Sequence, residues 1–248
     1  MRVAVVGATG TAGAPIAAEL ERAGHEVRRL SRGSEAHPVD LLTGEGLDPA
    51  LEGCDAVVDA SNATGRAKVS RALLVDGGRR LLEAERKAGI AHHICLSIVG
   101  IERVPIPYYG VKLEQEEVVR TAGVPFTIVR ATQFHQLLDW AFGGLARARI
   151  LPGAKAPLQP VDPSEVAEAM AAVAVGGPLG GTTTVAGPQV ETMAELAATW
   201  KAARGRSAAL IPVPLAGKAG KGLRAGGLTD ETPDHRGTVT FSKWLAAR

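Results

Sequence analysis

The chain has 248 residues, 46% of them hydrophobic and 22% charged, which is enough to bury a substantial core and unlike a disordered segment. Its 28 Lys and Arg against 26 Asp and Glu leave a formal charge of +2, too balanced for a nucleic-acid binder. Two cysteines, Cys54 and Cys95, cannot build a disulfide framework, neither sits in a zinc-like spacing, and no apolar run approaches the roughly 18 residues of a membrane span.

Val3–Val6 reads as an apolar strand, and Gly7 cuts that run short of a signal-peptide core, so a cytoplasmic protein is expected. Ala14–Ala23 continues as a helix with Ile16 and Leu20 on one face and Pro15 in its first turn. Glu26–Leu30 is a second strand, Pro38–Leu41 a short third and Ala56–Ala60 a fourth. Lys68–Ala88 reads as a long helix with a weak spot at Gly77 and Gly78, followed by the strand His93–Ser97, a helix over 107–122 and the strand Phe126–Arg130. Strands separated by helices imply right-handed crossovers and a parallel sheet buried on both faces. The expected fold is therefore α/β, a Rossmann-type doubly wound sheet.

After Arg130 the alternation loosens. Gln133–Arg147 looks helical, Leu158–Val161 is a short strand, and Ser164–Val175 is a helix capped by Asp162, with Glu165 completing a capping box. Thr182–Ala186 is a strand, Met193–Arg204 a helix, and the Gly-rich basic run 216–227 a mobile loop. No repeat or linker divides the chain. Residues 1–248 read as one domain, with a small C-terminal cap on the substrate side drawn from about 131–160 and 182–235.

The first strand ends in "GATGTAG", which spaces Gly7, Gly10 and Gly13 as G-x-x-G-x-x-G just where the helix begins. A dinucleotide pyrophosphate needs that close backbone approach and a helix N-terminus, so Gly7, Thr9, Gly10, Thr11, Ala12 and Gly13 are the expected cradle. NAD-preferring sites carry an acidic residue about 20 residues further on. Here "RRLSRG" offers Ser31 and Arg32 instead, which can hydrogen-bond a 2′-phosphate and offset its charge. NADP(H) is expected in preference to NAD(H).

The chain's two tyrosines, Tyr108 and Tyr109, stand just before Lys112. Hydride reduction of a carbonyl creates an alkoxide that needs a proton, and a nearby cation can bring a tyrosine's pKa down to supply it. Lys112 is four residues from Tyr108 and three from Tyr109, so helical geometry allows either. His92 and His93 are strand neighbours that point to opposite faces and cannot hold one metal together. No metal is expected.

With "GATGTAG", "LSR", "VDLLTG", "VVDAS", "LSIVG", "YYGVKLEQE" and "DPSEVAEAM" in order, residues 1–170 resemble the short-chain dehydrogenase/reductase superfamily. The nearest branch is its atypical, NmrA-like or isoflavone-reductase-like one. The resemblance implies that Asp40 and Leu41 flank the adenine and that Ala60, Ser61 and Asn62 run beside the riboses. It further implies a Tyr-x-x-x-Lys pair of Tyr108 and Lys112, with Lys112 also on the nicotinamide ribose and Ser97 orienting the reacting carbonyl. Tyr109 turns away toward substrate or packing, and Gln133, Phe134 and His135 are expected at the lip of the substrate pocket. Asp59 stays outside the expected site, as a strand-end carboxylate. The implied activity is NADPH-dependent reduction of a small, largely uncharged carbonyl, quinone or conjugated enone. The same branch holds redox sensors, so a non-enzymatic NADP(H)-sensing regulator is the alternative. Sugar-nucleotide epimerases share the loop and triad but usually carry a larger C-terminal domain. Neither nucleic acid nor membrane is an expected partner, and a homodimer would be unsurprising.

Overall fold

A computed structural model describes residues 1–248. In chain order the elements are β1 (Arg2–Val6), α1 (Gly13–Arg22), β2 (Glu26–Leu30), α2 (Leu47–Leu51), β3 (Ala56–Asp59), α3 (Ala67–Arg71), a π-helical turn (Ala72–Gly77), α4 (Gly78–Ala88), β4 (His92–Ile98), α5 (Pro107–Thr121) and β5 (Phe126–Ala131). There follow α6 (His135–Ala146), β6 (Ile150–Pro152), β7 (Pro157–Leu158), α7 (Pro163–Gly176), β8 (Gly181–Ala186), β9 (Glu191–Thr192) and α8 (Met193–Ala203). The chain ends with β10 (Ala209–Ile211), α9 (Gly217–Arg224), β11 (His235–Arg236) and α10 (Phe241–Ala246).

A parallel sheet of seven strands runs in the order β2-β1-β3-β4-β5-β8-β11. Chain order reverses at β1, whose neighbours are β2 on one side and β3 on the other. In such a sheet this reversal opens a crevice beyond the strands' carboxyl ends. Every residue of β3 is buried, as a strand covered on both faces requires. No helix is long and apolar enough to cross a membrane.

The chain divides into two compact units. Met1–Ser97, Pro107–Arg130 and Val166–Thr183 form the first. One of its apolar clusters gathers Val6, Leu30, Leu41, Leu51, Val57 and Leu81, and another Leu74, Leu82, Cys95, Val111, Val119 and Ile128. Ile98–Ile106, Ala131–Glu165 and Thr184–Arg248 form the second, cored by Phe142, Leu151, Trp200, Phe241 and Trp244.

Several expected elements differ. Pro38–Leu41 makes only an isolated bridge from Ser31 to Pro38, because Asp40 turns the chain back by pairing with Glu45 instead. The Gly-rich run expected as a loop forms α9, whose Gly220 fits where a Cβ would lie 2.3 Å from the Leu215 backbone. Asp162 caps α7 by accepting from the Ser164 amide, but Glu165 does not complete a box. Its carboxylate instead accepts from the amides of Thr238 and Val239 and the Thr238 hydroxyl. A capping box that the reading missed, Thr192 with Glu195, starts α8.

Candidate active site

The site belongs to the first unit and is built at the carboxyl ends of β1, β2 and β3. Gly7 has φ +73°, and a Cβ there would stand 2.9 Å from the Ala60 carbonyl oxygen, so only glycine lets the loop pass this close to β3. Gly13 opens α1 where a Cβ would lie 2.2 Å from the Gly7 oxygen. The Gly7 amide is held by the Leu30 carbonyl, which ties the loop to the end of β2. Ala12 supplies no side-chain cap, and the amides of Thr11, Ala12 and Gly13 make no intramolecular bond. These are the donors that a helix N-terminus leaves for an anion.

At the end of β2, Arg28 is spent on the Ala50 carbonyl and Arg29 on Glu21. Arg32 alone of the three is exposed with no bond or ion pair in the chain. Ser31 presents a half-buried side chain beside it. Asp40 accepts from the Leu42 amide. Leu41 is 5% exposed and belongs to the apolar cluster, packed where Gly77 passes its backbone.

The segment after β3 joins this cradle to α5. The Asn62 Oδ1 accepts from the Tyr108 hydroxyl at 2.7 Å. Asp59, buried, accepts from the Ser61 amide at 2.9 Å and from Gln115 Nε2 at 3.1 Å. Gln115 in turn accepts from Lys112 Nζ at 2.6 Å, and Lys112 also donates to the Leu96 carbonyl at 2.7 Å. An ammonium has three donors, so Lys112, only 4% exposed, keeps one N–H unspent. The buried Ser61 hydroxyl likewise has no partner. A glycine cradle, open helix amides, an orphan hydroxyl and an unspent ammonium donor fit a dinucleotide.

No hydrogen bond joins Ser97, Tyr108 and Lys112 to one another. Burial and then the neighbouring Tyr109 push the Tyr108 phenol up to about 12, the opposite of activation by a lysine. Burial pushes Tyr109 up as well, its ring centroid 6.0 Å from that of Tyr108. Ser97 is 2% exposed and donates to Glu116 at 2.6 Å. Burial alone would raise Glu116, but hydrogen bonds from Arg130, Ser97 and Arg120 hold its carboxyl below the usual range.

In the second unit, the expected pocket residues His135 and Gln133 both have partners within the chain. His135 is fully buried, with Nε2 on the Val239 carbonyl at 3.0 Å and its ring 5.5 Å from Phe241 and 5.6 Å from Trp244. Burial holds its pKa down, so the imidazole is a neutral core group. Gln133 spends its amide on the Leu228 carbonyl and the Gln159 amide. Phe134 is half-buried and precedes α6.

Sequence reasoning left out Asp59 and missed Gln115, Glu116 and Arg130. A signal existed. On α5 the buried apolar positions Val111, Val118 and Val119 enclose Gln115 at helical spacing, and a polar residue on a buried face implies a polar partner.

A family model described as NAD(P)H-binding matches residues 7–175. The chain is 33% identical over 222 residues to a (4-alkanoyl-5-oxo-2,5-dihydrofuran-3-yl)methyl phosphate reductase of Streptomyces griseus subsp. griseus, covering 82% of this chain and 74% of that one. It is 29% identical over 233 residues to the photosystem II assembly factor Ycf39 of Synechocystis, covering 87% of this chain and 72% of the relative. Among solved structures, an NADPH-dependent quinone oxidoreductase of Escherichia coli superposes with a TM-score of 0.80 over 99% of this chain and 98% of its own, at 17% identity.

Proposed function

The chain belongs to the NAD(P)H-binding family of reductase type, and from that premise we propose that it is an NADPH-dependent reductase of a small carbonyl, quinone or conjugated enone. The observation that carries this reading is the segment Asp59–Asn62. It touches the glycine cradle through Ala60, Tyr108 through Asn62, and Lys112 through Asp59 and Gln115.

The bound nicotinamide would supply a hydride. Gly7 and Gly13 let the backbone close on the pyrophosphate, and the free amides of α1 face its charge. Arg32 offsets a 2′-phosphate. Lys112 offers its remaining N–H to a ribose hydroxyl. Tyr108 is protonated at neutral pH and donates to Asn62 Oδ1, so its hydroxyl turns from that oxygen to give its proton to the alkoxide or enolate formed on the substrate. The reductase and quinone oxidoreductase relatives support this substrate class by their names.

The test is NADPH oxidation across a panel of ketones, quinones and enones. Tyr108→Phe should lower kcat by about 10²–10⁴-fold. Lys112→Ala should raise the KM for NADPH, and Arg32→Glu should move the preference toward NADH. Unchanged turnover in Tyr108→Phe would remove the proposed donor.

A second reading, cofactor binding without turnover, is favoured by the likeness to an assembly factor and by a Tyr108 that Lys112 does not activate. It is the better account if NADPH binds and no compound in the panel is reduced.

A further inference from the structure

Alternation along β4 places His93 and Cys95 on one face, and the β3–β4 register sets Asp59 directly opposite Cys95. All three side chains are buried, at 1%, 0% and 2% exposure for His93, Cys95 and Asp59. One donor atom from each lies within 4.8 Å of the other two. Glu85 on α4, fully buried, clasps the Nδ1 of His93 with both oxygens, at 2.8 and 3.0 Å. That contact fixes the ring and commits Nδ1, and Nε2 is left buried without any partner. Metal-ligating histidines show this arrangement, a carboxylate on one ring nitrogen and the metal on the other.

We propose that Asp59, His93 and Cys95 form a buried site for a divalent zinc-like ion, with Glu85 as the group that orients His93. A nitrogen, a sulfur and a carboxylate oxygen match the ligand preference of Zn²⁺, and three protein ligands leave its fourth tetrahedral position open. The ion's +2 would face the thiolate of Cys95 and the carboxylate of Asp59, with the Glu85 carboxylate behind His93. Binding expels the thiol proton of Cys95, and the proton on Nε2 if the imidazole holds one, because a metal ligand must be deprotonated. Asp59 keeps its bonds to Ser61 and Gln115, since each carboxylate oxygen has a second lone pair. The spacing of Cys54 and Cys95 gave no hint of this site. Its ligands come from two neighbouring strands 34 to 36 positions apart and meet only through sheet register.

The test uses the full chain, stripped with a chelator and titrated with Co²⁺ alone. The expected result is one equivalent per chain, a thiolate-to-cobalt absorption band in the near ultraviolet, proton release, and displacement of cobalt by Zn²⁺. Cys95→Ser should abolish the band and Cys54→Ser should keep it. Glu85→Gln should weaken binding by about 10–100-fold. A wild-type protein that takes up neither ion, that binds cobalt without the thiolate band, or whose band disappears with Cys54 overturns the site. The wild-type titration decides the question even if a core variant fails to fold. It is also independent of the reductase reading, since no turnover is measured.

Discussion

At the scale of single residues, Tyr108 and Glu116 divide what the site can do. A phenol raised to about 12 keeps its proton through the working range, so a reductase relying on Tyr108 should show no alkaline fall in kcat below about pH 10. An alkaline limb well below that, lost in Lys112→Ala, would mean that the lysine reaches the tyrosine once cofactor is bound. Glu116 is a buried anion between Arg130 and Arg120, with side chains 18% and 36% exposed. Breaking such a set leaves uncompensated charge, and Glu116→Gln should cost about 3 kcal/mol in chemical denaturation at neutral pH. Its folded pKa is depressed, so this stability is present above the unfolded value of 4.5 and lost as pH falls through the folded pKa. The gap between wild type and Glu116→Gln should therefore close on acidification. Ser97 and His135 show why single residues were hard to assign. Each has chemistry that suits a site, and its partner within the chain, Glu116 for one and Val239 with two aromatic rings for the other, becomes visible only in three dimensions.

At the scale of elements, the β1–α1 turn was legible because its demands are local. Close backbone approach requires glycine, and that requirement appears directly in the spacing of Gly7, Gly10 and Gly13. Gly13→Ala should force a shift at the 2.2 Å contact with Gly7, destabilising the chain by about 1–3 kcal/mol and weakening NADPH binding about tenfold or more in a titration. Unaltered affinity would mean that the loop does not cradle the nucleotide. The core strands were legible for a similar reason, since burial on both faces leaves an unbroken apolar run. α9 was not, because Gly-rich composition argues for a loop while close packing against Leu215 rewards the absence of side chains. The capping role of Glu165 was lost to a longer-range demand: Thr238 and Val239 offer it donors 73 and 74 positions away.

At the scale of the whole molecule, the doubly wound sheet followed from alternation in the first half, whereas the second half gave only scattered elements. The reason is physical: the second unit is assembled from three separated segments around an aromatic cluster, and no local periodicity encodes that assembly. If the proposed site is right, NADPH at about 100 times its Kd should stabilise the fold by ~2.7 kcal/mol, read as a rise in melting temperature. The placement of the aromatic residues gives that experiment a built-in resolution. Both tyrosines lie in the first unit, and all three tryptophans, Trp140, Trp200 and Trp244, lie in the second. Second-derivative absorbance can follow the two chromophores separately in one melt. A tyrosine transition that moves with NADPH, whatever the tryptophan transition does, locates the stabilisation in the cradle-bearing unit. Trp140 is 77% exposed, while Trp200 and Trp244 are 3% and 4% exposed. Emission should thus be a blend of one solvated and two enclosed indoles, and Trp140→Phe would leave a purely core-derived signal for the second unit.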